Sequence, residues 1–299
     1  MKLYRFVVLF VISVLFGEVS AQDGDIPPEV RALLPPGYVI SKPSTVVFGK
    51  KKLLDSSVRE FIYYHAMYDP ESDLMLDEQK ILQVGDKVSF YCDYGIYRWD
   101  SIAYKATMDC VSVNTDHLER LVKGQSMDEH IVIRNHEKGD TLEVYDNVGM
   151  DKFRYREEQP DFNWVISDET KKIGPYECKK AEATFRGRNW TAWYTEEIPV
   201  SEGPWKFAGL PGLILMVQDS KAEHTIKLLK VRDSVSPIVL RDMLVSKADR
   251  KKLLEKKRSY LKNPFLTYKG MDIMPRDENG SVVKPSDDIK RFSNLIEKE

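Results

Sequence analysis

Apolar positions along this chain recur mostly with a period of two, the spacing of residues that share one face of a β-strand. "HIVIRN" places Ile131 and Ile133 on one face, and "EKGD" then reads as a hairpin turn into "TLEVYDNV" and "KFRYREE". In "RNWTAWYT", Trp190, Ala192 and Tyr194 share one face and Thr191, Trp193 and Thr195 the other. Large aromatic and β-branched residues on both faces suit a strand part-covered on each side. "LILMVQD" from Leu213 is apolar on both faces and predicts a buried strand. "SVREFIYYHAMYDP", "HTIKLLKV" and "PIVLRDML" read as further strands, and "DKVSFYCDYGIYRWDSI" as short strands joined by tight turns. Residues 105–130 are more helical in composition, with Leu118, Leu121 and Val122 on one face. One helix is predicted near 246–261: Ser246 and Asp249 resemble a cap, Leu253, Leu254, Tyr260 and Leu261 form an apolar stripe, and Asn263-Pro264 ends it.

These elements predict a mainly β protein, a large curved antiparallel sheet or partly closed barrel with a C-terminal helix lying against it. Residues 22–58, which include "DIPPEVRALLPPGYVISKP", read as a Pro-rich extended leader with little packing of its own, because paired prolines suit neither helix interiors nor central strands. The β-rich domain is expected over 59–275, followed by a polar tail at 276–299.

The densest backbone punctuation stands directly before the buried strand, in "GPWKFAGLPGLILM". Pro211 and Gly212 fit the two central positions of a type II turn, the first needing φ near −65° and the second a positive φ. Residues 196–212 therefore read as a rigid excursion that returns the chain into the sheet, pinned by Trp205 and Phe207.

Lys2 and Arg5 precede an apolar run from Phe6 to Phe16, and Val19-Ser20-Ala21 has the small residues of a cleavage site. This is the layout of a secretory signal peptide at 1–21, too short for a spanning helix of about 20 residues. No segment of the mature chain is predicted to cross a bilayer. The net charge of −2 with mixed signs gives no global field for nucleic acid. In an oxidising compartment the three cysteines allow one bridge, and sequence leaves three pairings open.

The block "IGPYECKKAEATFRGRNWTAWYTEEIPVSEGPWKFAGLPGLILMVQD" resembles the signature of the GLPGLI family, exported Bacteroidota proteins of unknown function. The likeness rests on C-x-K-A at Cys178–Ala181, G-R-x-W at Gly187–Trp190, A-W-Y-T, G-P-x-K-F, and the hexapeptide Gly209, Leu210, Pro211, Gly212, Leu213 and Ile214. The resemblance implies a periplasmic or envelope location and supplies no catalytic residue. Because Cys178 lies in this block, Cys110–Cys178 is the preferred bridge.

Candidate chemistry is sparse. No G-x-S-x-G, H-E-x-x-H or phosphate-cradling loop occurs, the five histidines are scattered, and no cofactor or metal is expected. His130 and His136 share a strand face, but the adjoining turn reads them as solvated hairpin ends. Arg186 and Arg188 flank Gly187, with Trp190 two residues beyond Arg188, and read as an Arg fork beside an aromatic surface, able to hold a carboxylate or sugar acid; the plainer reading packs an Arg on Trp193 or pairs it with Glu196 or Glu197. Arg188, Trp190, Trp193, Trp205 and Phe207 are the candidate surface for a hydrophobic or peptide-like ligand or an envelope protein partner, against core packing of the same aromatics. The alternative classes are a hydrolase-like enzyme using Glu157, Glu158, Arg188 or Asp219, which requires at least two of them to converge in one pocket with shifted pKa values, and a purely structural envelope component.

Overall fold

The computed structural model describes residues 51–108, 129–233, 235–263 and 292–299. They form one sheet of 13 strands that does not close on itself, with a C-terminal helix. The strands are β1 Lys51–Asp69, β2 Leu74–Gly85, β3 Val88–Asp93, β4 Ile131–Asn135, β5 Thr141–Val148, β6 Asp151–Glu157 and β7 Val165–Ile173. They continue with β8 Tyr176–Phe185, β9 Arg188–Thr195, β10 Leu213–Asp219, β11 His224–Arg232, β12 Ser236–Arg241 and β13 Ser246–Lys247. The helices are α1 Tyr94–Met108 and α2 Arg250–Lys262.

Across the sheet the order is β13-β6-β5-β4-β3-β2-β1-β11-β10-β9-β8-β7, with β12 paired to the first part of β1. Every pairing is antiparallel except the short β13–β6 contact. The long β1 is the spine, pairing β2 from Ser57 to Asp69 while β12 and then β11 succeed each other along its opposite edge.

Period-two alternation divides the apolar residues into two cores. Tyr91 of β3 and Val132 of β4 join the larger core with Phe61, Leu82, Trp190, Phe207 and Leu213. Their neighbours Val88, Phe90, Cys92, Ile131 and Ile133 join a smaller one on the other face, which Ile96 of α1 helps to cover. Leu213, Ile214, Leu215 and Val217 are each 0 % exposed, so β10 is the interior strand its composition predicts.

Several boundaries differ from the sequence reading. The expected leader at 22–58 ends earlier, because residues from Lys51 already pair with β12 and Ser57 is fully buried; residues 1–50 lie outside the described residues. The stretch from Tyr94 is helical rather than strand. The Asp93 carboxylate accepts from the Gly95 and Ile96 amides and so caps α1, while Ile96 and Ala103, two helical turns apart, bury on one side. Tyr, Ile and Trp are β-formers, and a cap made by a strand-end Asp overrides them here. The helical expectation around Leu118, Leu121 and Val122 falls outside the described residues. Helix α2 is capped by Asp249, whose side chain accepts from the Lys252 amide, whereas Ser246 belongs to β13. The end of the expected polar tail, residues 292–299, is packed against the sheet, with Glu297 only 6 % exposed.

Candidate functional site

The excursion between β9 and β10 lies against the larger core and is held by backbone hydrogen bonds. Leu213 N–H donates to the Ile198 carbonyl at 3.1 Å and Ile214 N–H to the Glu202 carbonyl at 3.0 Å. The Leu-Pro-Gly-Leu corner is not the type II turn expected from Pro211 and Gly212. The Gly212 amide bonds the Leu210 carbonyl two residues back, at 2.8 Å, because the Leu213 amide is already committed to Ile198. Gly212 is required by close approach: a Cβ there would collide with the Thr195 carbonyl. Trp205 takes the left-handed conformation, φ 56°, and Phe207 packs against Trp190, Trp205 and Phe162 with ring centroids 4.9, 5.2 and 5.3 Å away.

Of the sequence-predicted site residues, Trp190, Trp205 and Phe207 are 1 %, 4 % and 0 % exposed, so they form core rather than the lining of an open groove. Trp193 is half-buried, with the Lys171 ammonium 4.0 Å from its ring centre. Arg188 does not meet Glu196 or Glu197; it is buried between Asp219 and Glu223, at 2.8 and 2.7 Å. Gly209, Leu210, Pro211, Gly212, Leu213 and Ile214 form the corner and the start of β10. Cys178 is a buried free thiol bonded to the Tyr176 carbonyl, and burial pushes it up to about 11. The expected Cys110–Cys178 bridge therefore has one described end, and that end is free; Cys110 lies outside the described residues. Of the four proposed enzyme groups, Arg188 and Asp219 meet in one buried pair, while Glu157 and Glu158 stand apart from it and line a cleft.

The sequence reading passed over a chain of buried charges beneath the excursion. Arg134 of β4 pairs with Glu202, donates to the Lys206 carbonyl at 3.2 Å and to Gln159 at 2.8 Å. Its burial lowers it to about 10. Lys206, in the middle of "PWKF", is 0 % exposed; its ammonium meets Glu157 at 2.6 Å, the Tyr155 hydroxyl at 2.9 Å and Glu297 of the C-terminal segment. The signal that could have exposed it is an ionisable residue flanked by two core aromatics, which must be paired if the motif is buried.

One constellation resembles a nucleophile, base and acid: Ser89 Oγ lies 3.0 Å from His136 Nε2, and His136 Nδ1 lies 2.8 Å from Asp140. Ser89 is only 2 % exposed, and its hydroxyl also sits 2.9 Å from the Glu202 carboxylate. One hydroxyl proton cannot serve both acceptors, and no substrate reaches a serine so enclosed. The arrangement ties the β4–β5 turn to the excursion.

On the other face of the sheet a half-open cleft of about 1010 Å³ is bounded by β1, β12, the 242–245 connection and β4 to β6. Its floor carries Leu54, Val88, Ile133, Leu240, Met243 and Val245, and its rim carries both signs of charge, including Lys52, Lys138, Arg156 and Glu158. Among the buried polar atoms of lining residues, Asn135 Oδ1 and Arg241 Nη2 lack a hydrogen-bond partner. Among the described residues, no group of three or more His, Cys, Asp or Glu is placed to hold a metal ion, and no helix is long and apolar enough to cross a membrane.

This geometry defines a mainly β protein built on one open sheet, with a buried charge network on one face and a cleft on the other. A family model described as "Protein of unknown function (Porph_ging)" matches residues 182–216, a stretch that contains the excursion and the hexapeptide. No curated protein matches the chain. Two solved structures of PNGF-II, in the P21 and C2 space groups, are similar at TM-score 0.45 and 13 % identity, covering 68 % of this chain. The match covers 33 % and 32 % of those chains, so this chain corresponds to about a third of their length.

Proposed function

We propose that this is an exported protein of the bacterial cell envelope that binds, without chemically transforming, a hydrophobic or peptide-like ligand or an envelope protein partner, and that the cleft floored by Met243 is where it binds. The observation that carries this reading is the cleft itself, where an apolar floor of six side chains adjoins a rim of mixed charge. Such a surface offers burial to apolar groups and pairing to polar ends. The signal-like N-terminus and the match to a family of unknown function associated with Bacteroidota support the location. In this reading Trp190, Trp205 and Phe207 act behind the ligand by stiffening the sheet that carries the cleft, and Arg188 and Trp193 serve the same framework. The hydrolase alternative has less support, since Arg188 and Asp219 close on each other in a buried pair and the Glu157 carboxylate is committed to Lys206 and Arg186, which leaves Glu158 alone in the cleft.

The test uses 1-anilinonaphthalene-8-sulfonate, an anionic apolar probe, with the full chain and a Met243→Arg variant. The expected outcome is enhanced fluorescence with the wild type and none with the variant, both proteins melting cooperatively. A natively folded wild type that leaves the probe dark, or equal enhancement by the two proteins, would refute the cleft as the binding site.

A further inference from the structure

Residues 292–299 have no regular secondary structure, yet they lie across the end of the sheet where the β1–β2, β8–β9 and β10–β11 turns stand together. Two polar anchors hold them. At the first, Arg188 donates to the Asn294 side chain at 2.6 Å and to the Leu295 and Ile296 carbonyls at 2.8 and 3.1 Å. The Asn294 side-chain amide in turn donates to the Tyr68 carbonyl at 2.8 Å and to Glu223 at 3.0 Å, and the Ser293 backbone amide donates to Asp69 at 2.6 Å. At the second, the Glu297 carboxylate meets Lys206, and Arg250 at 2.6 Å. Burial opposes its ionisation, but these two cations hold the carboxyl below its ordinary range.

This segment is attached differently from the rest of the fold. Among the described residues its single backbone–backbone hydrogen bond to the sheet runs from the Lys298 amide to the Arg186 carbonyl, 2.9 Å. Arg188, Lys206 and Arg186, which receive it, also have partners on the sheet. Arg188 keeps Asp219 and Glu223, while Lys206 and Arg186 keep Glu157 at 2.6 and 3.0 Å. Removing one member of a buried pair is costly because it strands a charge. Here departure of the segment strands none of these cations, so an open state retains a formed receptor. The receptor reads main-chain carbonyls, which any extended peptide offers, plus an amide side chain and a carboxylate three residues later.

We propose that this end of the sheet is a peptide-docking surface for an extended acidic segment carrying Asn and, three residues on, Glu, and that the chain's own C-terminal segment is a displaceable strap occupying it. The surface lies apart from the cleft floor and does not depend on the cleft's role. The strap belongs to the same chain, so its docking is intramolecular and a free peptide at micromolar concentration is excluded from the wild type.

The experiment measures fluorescence anisotropy of a labelled peptide spanning Ser293–Glu299, titrated with the full chain. It compares wild type with an Asn294→Ala, Glu297→Gln double variant, which weakens the strap and leaves the receptor untouched. The expected result is peptide binding at least ~10-fold tighter to the variant than to the wild type. A peptide carrying the same two substitutions should lose that gain. A folded variant that binds no peptide, or binding equal to that of the wild type, would overturn the proposal. Should the double variant fail to fold, Glu297→Gln alone carries the comparison; unfolding of both would make the segment a fixed part of the fold and overturn the proposal equally.

Discussion

His65 of β1 and His224 of β11 face each other in the interior, 7 % and 1 % exposed, with Nε2 of the first 3.2 Å from Nδ1 of the second. Burial drives both below their usual value, and Arg188 adds to the effect on His224, which falls from 6.5 to about 4. His65 is further depressed by His224 and Lys80, while Asp219 and Glu223 pull His224 part of the way back. Since the folded-state value lies below the unfolded one, the unfolded chain takes up the proton first. The stability tied to the neutral pair is therefore complete above about pH 6.5 and falls as the pH drops toward 4. Linkage with these two values gives a loss of about 2 kcal/mol between pH 7 and pH 5 from His224 alone. The neighbouring carboxylate does not confuse that window. Burial opposes ionisation of Glu223, yet Arg188, Asn294 and Lys298 hold it at about 2, so its contribution is lost only as pH falls below 4.5. Urea denaturation at pH 7 and pH 5 should show the wild type losing at least this amount, and a His224→Gln variant losing about 2 kcal/mol less. Equal pH dependence in the two proteins would refute the assignment of a buried neutral histidine at this position.

Two further outcomes test the packing beneath the excursion. Arg134→Met leaves Glu202 buried without its cation and should cost about 3–5 kcal/mol by chemical denaturation. A loss under ~1 kcal/mol would mean that the pair is solvated. Gly212→Ala drives a methyl group into the Thr195 carbonyl and should destabilise by about 1–3 kcal/mol. An unchanged melting temperature would show that the β9 and β10 backbones do not approach as closely as they stand here.

Local pattern in the sequence was sufficient for most strands, for helix α2 with its Asp249 cap, and for the burial of Leu213–Val217. Alternation and composition are properties of neighbouring residues, and a chain needs no tertiary information to display them. The same pattern misread Tyr94–Ser101 as strand, because aromatic β-formers there are overruled by the Asp93 cap and by the face that buries Ile96 and Ala103. It also read "WKFAGLPG" as part of an excursion pinned by its aromatics and passed over Lys206, whose partners come from Glu157 of β6 and from Glu297.

The candidate sites were far less legible. The sequence by itself pointed to a rigid excursion at residues 196–212, pinned by Trp205 and Phe207 and closed by the Gly-Pro corner. Only the tertiary structure decided that this unit faces inward, and that apolar surface was left instead on the opposite side, at Leu54, Leu240 and Met243. The physical reason is separation along the chain: cleft, buried ion pairs and strap each join residues far apart in sequence. Their pairing depends on strand order and register across an open sheet, which single-residue preferences do not encode.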